Sequence, residues 1–271
     1  IFKRRTKIKK AGIYGILDPL ATGILPIVVG EANKYIPFIQ SNNKTYNVKC
    51  KLGEYSECGD YESDPIIYPE EKNRVLQLTR DYIIQTFNNF VGEYNQVPPM
   101  FSATKYKGKP LYSYARNNIN IKRERKKRFI HELKFISLVN DMLTFNVMCS
   151  PGTYIRTLIQ DIAKDWSLHA CLYELNRSKV EPFENFKSFN IEDIDSDQLD
   201  KKIINITDML PNYPEVICSE DDITNLYYGL SIQRENNQQY TLCKLIGEGG
   251  IFHGLGIFKD HSLYPKRLIK R

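Results

Sequence analysis

Two stretches of strict alternation, Lys44–Leu52 and Met142–Cys149, most constrain what this chain can fold into. In the first, Tyr46, Val48, Cys50 and Leu52 fall on one face and Thr45, Asn47, Lys49 and Lys51 on the other. In the second, Leu143, Phe145, Val147 and Cys149 share a face. A period of two with one apolar side predicts half-buried strands. The second stretch runs through Ser150-Pro151-Gly152 into Ile155, Leu158, Ile159, Ile162 and Trp166, the spacing of an amphipathic helix with Thr153 as its expected N-cap. Val75, Leu78, Tyr82, Ile83 and Phe87 predict another such helix over residues 70–91, and residues 24–39 read as a short buried strand followed by a helix.

Composition narrows the class. A chain of 271 residues has room for one large domain, or for a large one and a small one. Its 42% hydrophobic and 26% charged residues are ordinary for a soluble globular protein. A net charge of +6 leans mildly towards an anionic partner, and the cations cluster, with six Lys or Arg in residues 3–10 and six more in 122–128. Residues 1–12 read as the end of a basic helix. The cysteines at 50, 58, 149, 171, 218 and 243 form no CxxC pair and no zinc-like spacing, as expected of small core residues in a reduced compartment. No apolar run has the length of a membrane span and no signal peptide is visible. A first residue of Ile rather than Met is what truncation or processing leaves.

Chemistry concentrates in three places. Residues 17–26 hold one acid, Asp18, among small and turn-forming neighbours, with no His or Cys close in sequence to suggest a triad or a metal site. Pro19 biases Asp18 towards extended backbone, and Gly15 and Gly23 allow the chain to turn and approach a ligand. A carboxylate on such a loop can serve as nucleophile or general base, although an Asp-Pro pair alone is ordinarily a turn. Residues 96–128 interleave aromatics with cations, charge for phosphates and flat faces for stacking. Residues 171–177 read as a short strand and 182–200 as an acidic, irregular connection. From residue 203 short β-like pieces (216–218, 240–246 and 251–258) alternate with turns, predicting a small β-rich C-terminal domain.

The run Gly15-Ile16-Leu17-Asp18-Pro19-Leu20-Ala21-Thr22-Gly23-Ile24-Leu25-Pro26, followed by Gly30-Glu31-Ala32-Asn33-Lys34, closely resembles the signature of the TruB family of tRNA pseudouridine synthases. The resemblance implies that Asp18 is the catalytic residue of uridine isomerisation. Lys44-Thr45-Tyr46 with Leu52-Gly53 resembles the second family motif, which implies that Tyr46 stacks on the target base and assists proton transfer. Asp60 is what remains of an acidic loop motif and is expected among the substrate contacts. Gly152-Thr153-Tyr154-Ile155-Arg156-Thr157-Leu158 resembles the third motif, whose Arg pairs with the catalytic Asp. Arg156 would hold Asp18 charged and oriented. The strand ending Leu175-Asn176-Arg177 matches a family strand whose Leu packs against the flipped base, implying Leu175 as pocket wall. Pro98-Pro99 through Ser102-Ala103, extending to Tyr114-Ala115-Arg116, is similar to an insertion that closes over the tRNA T-arm, which makes Lys105, Lys109, Tyr112 and Arg116 expected RNA contacts.

Three features depart from the family pattern. Ile13 stands where a His usually fills the gap left by the flipped base; it can occupy that space but neither stack nor hydrogen-bond. Ile16 and Asn33 replace residue types that are frequent in the family, and its usual Leu-Asp-Lys-Pro segment ahead of the first motif is not among the 271 residues.

The resemblance implies an α+β fold, with a mixed, mostly antiparallel sheet and flanking helices over residues 1–202 (insertion about 96–128) and a PUA-like β-rich domain over 203–271. It implies isomerisation of the T-loop uridine at position 55 of tRNA, by a cytoplasmic monomer that needs no cofactor or metal and does not engage a membrane. A T-arm-binding or chaperone protein without efficient catalysis is the alternative, motivated by Ile13. A guide-RNA-dependent synthase of the dyskerin type is a third reading, disfavoured because the insertion looks bacterial.

Overall fold

Both alternating stretches become neighbouring strands of one six-stranded sheet. In chain order the strands are β1 (Thr22–Gly23), β2 (Lys44–Leu52), β3 (Gly92–Gln96), β4 (Lys126–Val139), β5 (Met142–Cys149) and β6 (Ala170–Val180), and in space they run β1-β6-β2-β5-β4-β3. Only the β1–β6 contact is parallel, so the sheet is mixed and mostly antiparallel, as expected. The structure is a computed structural model that describes residues 1–40, 42–194, 199–234 and 241–270. Tyr240 of the expected strand at 240–246 and residues 195–198 of the expected connection lie outside the described residues.

The alternation decides which side of this sheet is dry. Val48 and Cys50 of β2 and Leu143, Phe145 and Val147 of β5 are buried in one core with Ile83 and Phe87 of helix α1 (Arg80–Phe90) and Leu158, Ile159 and Ile162 of helix α2 (Ile155–Asp165). Burying each such side chain stabilises by about 1.5–3 kcal/mol. Phe87 meets Phe145 edge-on at 5.2 Å, and Trp166 Nε1 donates to Thr86 Oγ1 at 2.9 Å, a hydrogen bond between the end of α2 and α1.

Local chemistry alters two expected helices. The helix expected over 70–91 is two, Lys72–Gln77 and α1, because Thr79 takes extended backbone and its hydroxyl accepts from Tyr82 N. Thr153 is not the cap of α2: its hydroxyl donates to Ser150 O at 2.8 Å, which leaves Tyr154 at the cap position without a side-chain cap.

Contacts group residues 16–25 and 42–181 around this sheet, and residues 1–15, 26–41 and 182–271 into a second compact unit. In the second unit, β7 (Glu215–Ile217), helix α3 (Glu220–Tyr227), β8 (Ile232–Gln233), β9 (Leu242–Ile246), β10 (Phe252–Lys259) and β11 (Ser262–Leu268) build a sheet of order β7-β9-β10-β11-β8. Its core holds Cys218, Ile223, Leu226, Cys243, Leu245 and Leu263. The strand expected within 24–39 is Ile27–Val29, paired antiparallel with Ala11–Ile13, and the helix after it is a 3-10 helix over Gly30–Phe38. All six cysteines are buried thiols. Among the described residues no helix is long and apolar enough to cross a membrane.

Candidate active site

The Asp18 loop is fastened to the sheet from its C-terminal side. Asp18 O accepts from Ala21 N at 2.9 Å, which closes a turn, and Thr22–Gly23 then pairs with Asn176 and Arg177 of β6. Gly23 has φ +100°, and a Cβ there would lie 2.3 Å from Arg177 O, so only glycine permits this pairing. Ile24 closes the clamp, donating its N–H to Arg177 O at 2.8 Å and accepting from Arg177 Nε at 2.7 Å.

Arg156, the second residue of α2, meets that loop. Nε donates to Asp18 Oδ2 at 2.9 Å and Nη2 to Asp18 Oδ1 at 3.1 Å, a bidentate pair. Nη1 donates to Cys58 O at 2.6 Å and Nη2 also to Phe101 O at 2.9 Å. The guanidinium is buried, whereas the Asp18 side chain keeps 30% of its surface exposed. One face of Asp18 is therefore fixed and another is open to a ligand. Asp60 is buried against the same Arg, its Oδ2 3.5 Å from Nε, and its Oδ1 accepts from Glu62 N and the Cys58 thiol. Its carboxylate thus faces Arg156 and the chain around it.

Tyr46 sits on β2, opposite Val147 on one side and Arg177 on the other. Burial above all, against a hydrogen bond from Arg177 that pulls the other way, pushes the Tyr46 hydroxyl up to about 12 and leaves a neutral phenol. Two residues earlier, burial and the Arg177 charge bring Lys44 down to about 8. Among the described residues Arg177 is the largest fully buried side chain, and it binds the Asp18 loop as well as Tyr46, a role that strand alternation does not announce. Its place in the Leu-x-Arg strand was the available signal. Leu175, two residues before it, is buried in the main core, against which Leu20, Ala21 and Tyr46 also pack. Ile13 belongs to the second unit, pairs with Ile27 and is half exposed.

The expected RNA contacts lie together on an exposed element. Lys105–Tyr106 pairs with Lys109–Pro110 through Lys107-Gly108, both at positive φ, as a tight primed hairpin turn requires. A short helix, Leu111–Ala115, follows, anchored by buried Leu111 and Ala115. Lys105, Lys109, Tyr112 and Arg116 are exposed, with the Arg116 guanidinium 5.4 Å from the Tyr112 ring centre. The basic run at 122–128 is divided, since Lys126, Lys127 and Arg128 pair with β3. Among the described residues no three His, Cys, Asp or Glu side chains gather as a metal site requires.

Comparison with known proteins gives a consistent result. The family described as "TruB family pseudouridylate synthase (N terminal domain)" matches residues 3–155, and "Pseudouridine synthase II TruB, C-terminal" matches 214–269. A protein named tRNA pseudouridine synthase B from Shewanella sp. (strain W3-18-1) is 34% identical over 282 residues, covering 98% of this chain and 87% of the relative. One of the same name from Mannheimia succiniciproducens is 36% identical over 276 residues, covering 98% and 89%. A chain of a Cbf5–Nop10–Gar1 crystal structure shares the fold, with TM-score 0.66 and 19% identity over 98% of this chain and 78% of that one.

Proposed function

Because the chain belongs to the TruB family of pseudouridylate synthases, we propose that Asp18 is the residue that attacks the target nucleotide and that Arg156 holds it in place. The enzyme isomerises uridine in tRNA to pseudouridine. The N1–C1′ bond breaks, the uracil turns, and C5 joins C1′; a proton leaves C5 and one is gained at N1, so no electrons or groups are exchanged with a second substrate. The observation that carries the assignment of roles is the bidentate pair, in which a buried guanidinium orients a carboxylate that stays partly open. A protein that only holds RNA has no use for such a pair.

The target we propose is the T-loop uridine at position 55, stacked inside the folded T-arm and flipped out before reaction. Unstacking costs a few kcal/mol, roughly what stacking on one aromatic ring returns. The Tyr46 ring is that platform, and its hydroxyl, which burial keeps protonated, assists proton transfer as a hydrogen-bonding group and not as a phenolate base. Leu175 lines the pocket. Asp60 supports Arg156 rather than the base, which its burial favours. Lys105, Lys109, Tyr112 and Arg116 hold the T-arm backbone. We assign residues 1–202 to catalysis and 203–271 to a PUA-like domain, and place the enzyme in the cytoplasm as a monomer. A synthetic T-arm stem-loop with a single T-loop uridine tests this reading. Pseudouridine after nuclease digestion supports the T-arm as sufficient substrate; tight salt-sensitive binding without product contradicts it.

A further inference from the structure

The guanidinium of Arg156 is only as well placed as the backbone that carries it, and the start of α2 lacks the usual fixings. It has no side-chain cap and no acidic residue in its first turn. One buried side chain takes over that work. Gln96, the last residue of β3, is 1% exposed and its amide meets both backbone groups of Tyr154. Gln96 Oε1 accepts from Tyr154 N at 2.8 Å, and Nε2 donates to Tyr154 O at 2.9 Å, the same carbonyl that receives the first helical bond from Leu158 N. Nε2 lies 3.4 Å from the Tyr94 hydroxyl as well, which itself donates to Asp161 Oδ2 at 2.5 Å on the next turns of α2. The amide thus joins Tyr154 as a strand neighbour would, two residues before Arg156.

We infer that Gln96 is a positioning residue for the reaction: it fixes the first turn of α2 so that Arg156 meets Asp18 in bidentate register. The inference rests on reading Asp18 and Arg156 as the reacting pair. The chain just beyond Gln96 converges on the same turn, since Phe101 O accepts from Arg156 Nη2 and Thr104 Oγ1 lies 3.0 Å from the Tyr154 hydroxyl. Gln96 is therefore the fixed root of the segment that leads into the exposed hairpin. A group acting this way affects the rate of the chemical step and leaves the RNA surface unchanged.

The test is a double-mutant cycle, Gln96→Leu and Arg156→Lys singly and together, read by single-turnover pseudouridine formation on a T-arm stem-loop, with KM and thermal unfolding measured in parallel. Gln96→Leu is expected to lower the single-turnover rate by about 10–100-fold, the cost of a roughly 1 Å misplacement, with KM within about threefold. In the Arg156→Lys background the same change is expected to cost less than about threefold, because the register that Gln96 protects is already lost. Gln96→Glu has the same shape, keeps the acceptor for Tyr154 N and loses the donor to Tyr154 O, and is expected to react more slowly than the parent, a readout that stands even if Gln96→Leu fails to fold. A parental rate in Gln96→Glu, or equal losses from Gln96→Leu in both backgrounds, overturns the inference. A parental rate for Arg156→Lys alone would instead refute the role given to Arg156.

Discussion

Arg156 meets two carboxylates and two backbone carbonyls at once, so its guanidinium has little freedom and passes that order on to Asp18. The pairing of these residues, 138 positions apart, was legible only through motif resemblance. Position on the helix suggested a surface Arg, because Arg156 falls off the stripe of Ile155, Leu158 and Ile159, and burial of a charge is decided by partners that local periodicity does not see. Arg177 and Lys44 show the same limit: each sits in a strand whose alternation describes apolar residues well and buried cations poorly. Lys44 makes a measurable prediction. Burial favours its neutral form in the folded chain, where it titrates near 8 against an ordinary value of 10.5. Between these values the unfolded chain binds the extra proton, so stability rises with pH across that window. The urea-derived stability of the parent should gain about 1–2 kcal/mol on that of Lys44→Met between pH 8 and 10. A constant difference across that range would contradict the account.

At the scale of elements, strands with one dry face were the most legible part of the sequence. β2 and β5 run over the residues their alternation marked, Lys44–Leu52 and Met142–Cys149. Helix ends were less so, since Thr79 and Thr153 each had a second hydrogen-bonding option that periodicity does not weigh. Helix α3 went unread in a β-rich context, although Ser219 and Asp222 form a capping box that announces it. The exposed hairpin and helix over Lys105–Ala115 give an element-scale prediction. Changing Lys105, Lys109 and Arg116 together to Ala should weaken T-arm binding about tenfold or more at 0.15 M salt, and lower the slope of log affinity against log salt by about 2. The single-turnover rate at saturating enzyme should stay within about threefold of the parent. An unchanged salt slope would remove these residues from the RNA interface.

For the whole molecule, the second compact unit gathers three separate stretches of chain, which linear reading of composition does not reveal. The C-terminal stretch covers residues from the middle one: Tyr35 is fully buried, packs on Phe252 and donates to Arg267 O, and Tyr213 donates to Phe38 O. Removing residues 203–271 should expose the Gly30–Phe38 helix and cost several kcal/mol of buried apolar surface. The 1–202 fragment should accordingly unfold at lower temperature and lose most of its activity; a fragment as stable and active as the full chain would contradict this. The central claim, that the open carboxylate held by Arg156 performs the isomerisation, is tested most directly by single-turnover pseudouridine formation in Asp18→Asn, with RNA affinity measured on the same preparation. The account predicts a rate lower by at least about a thousandfold, with affinity within about threefold of the parent. An Asn variant that turns over at the parental rate would contradict it.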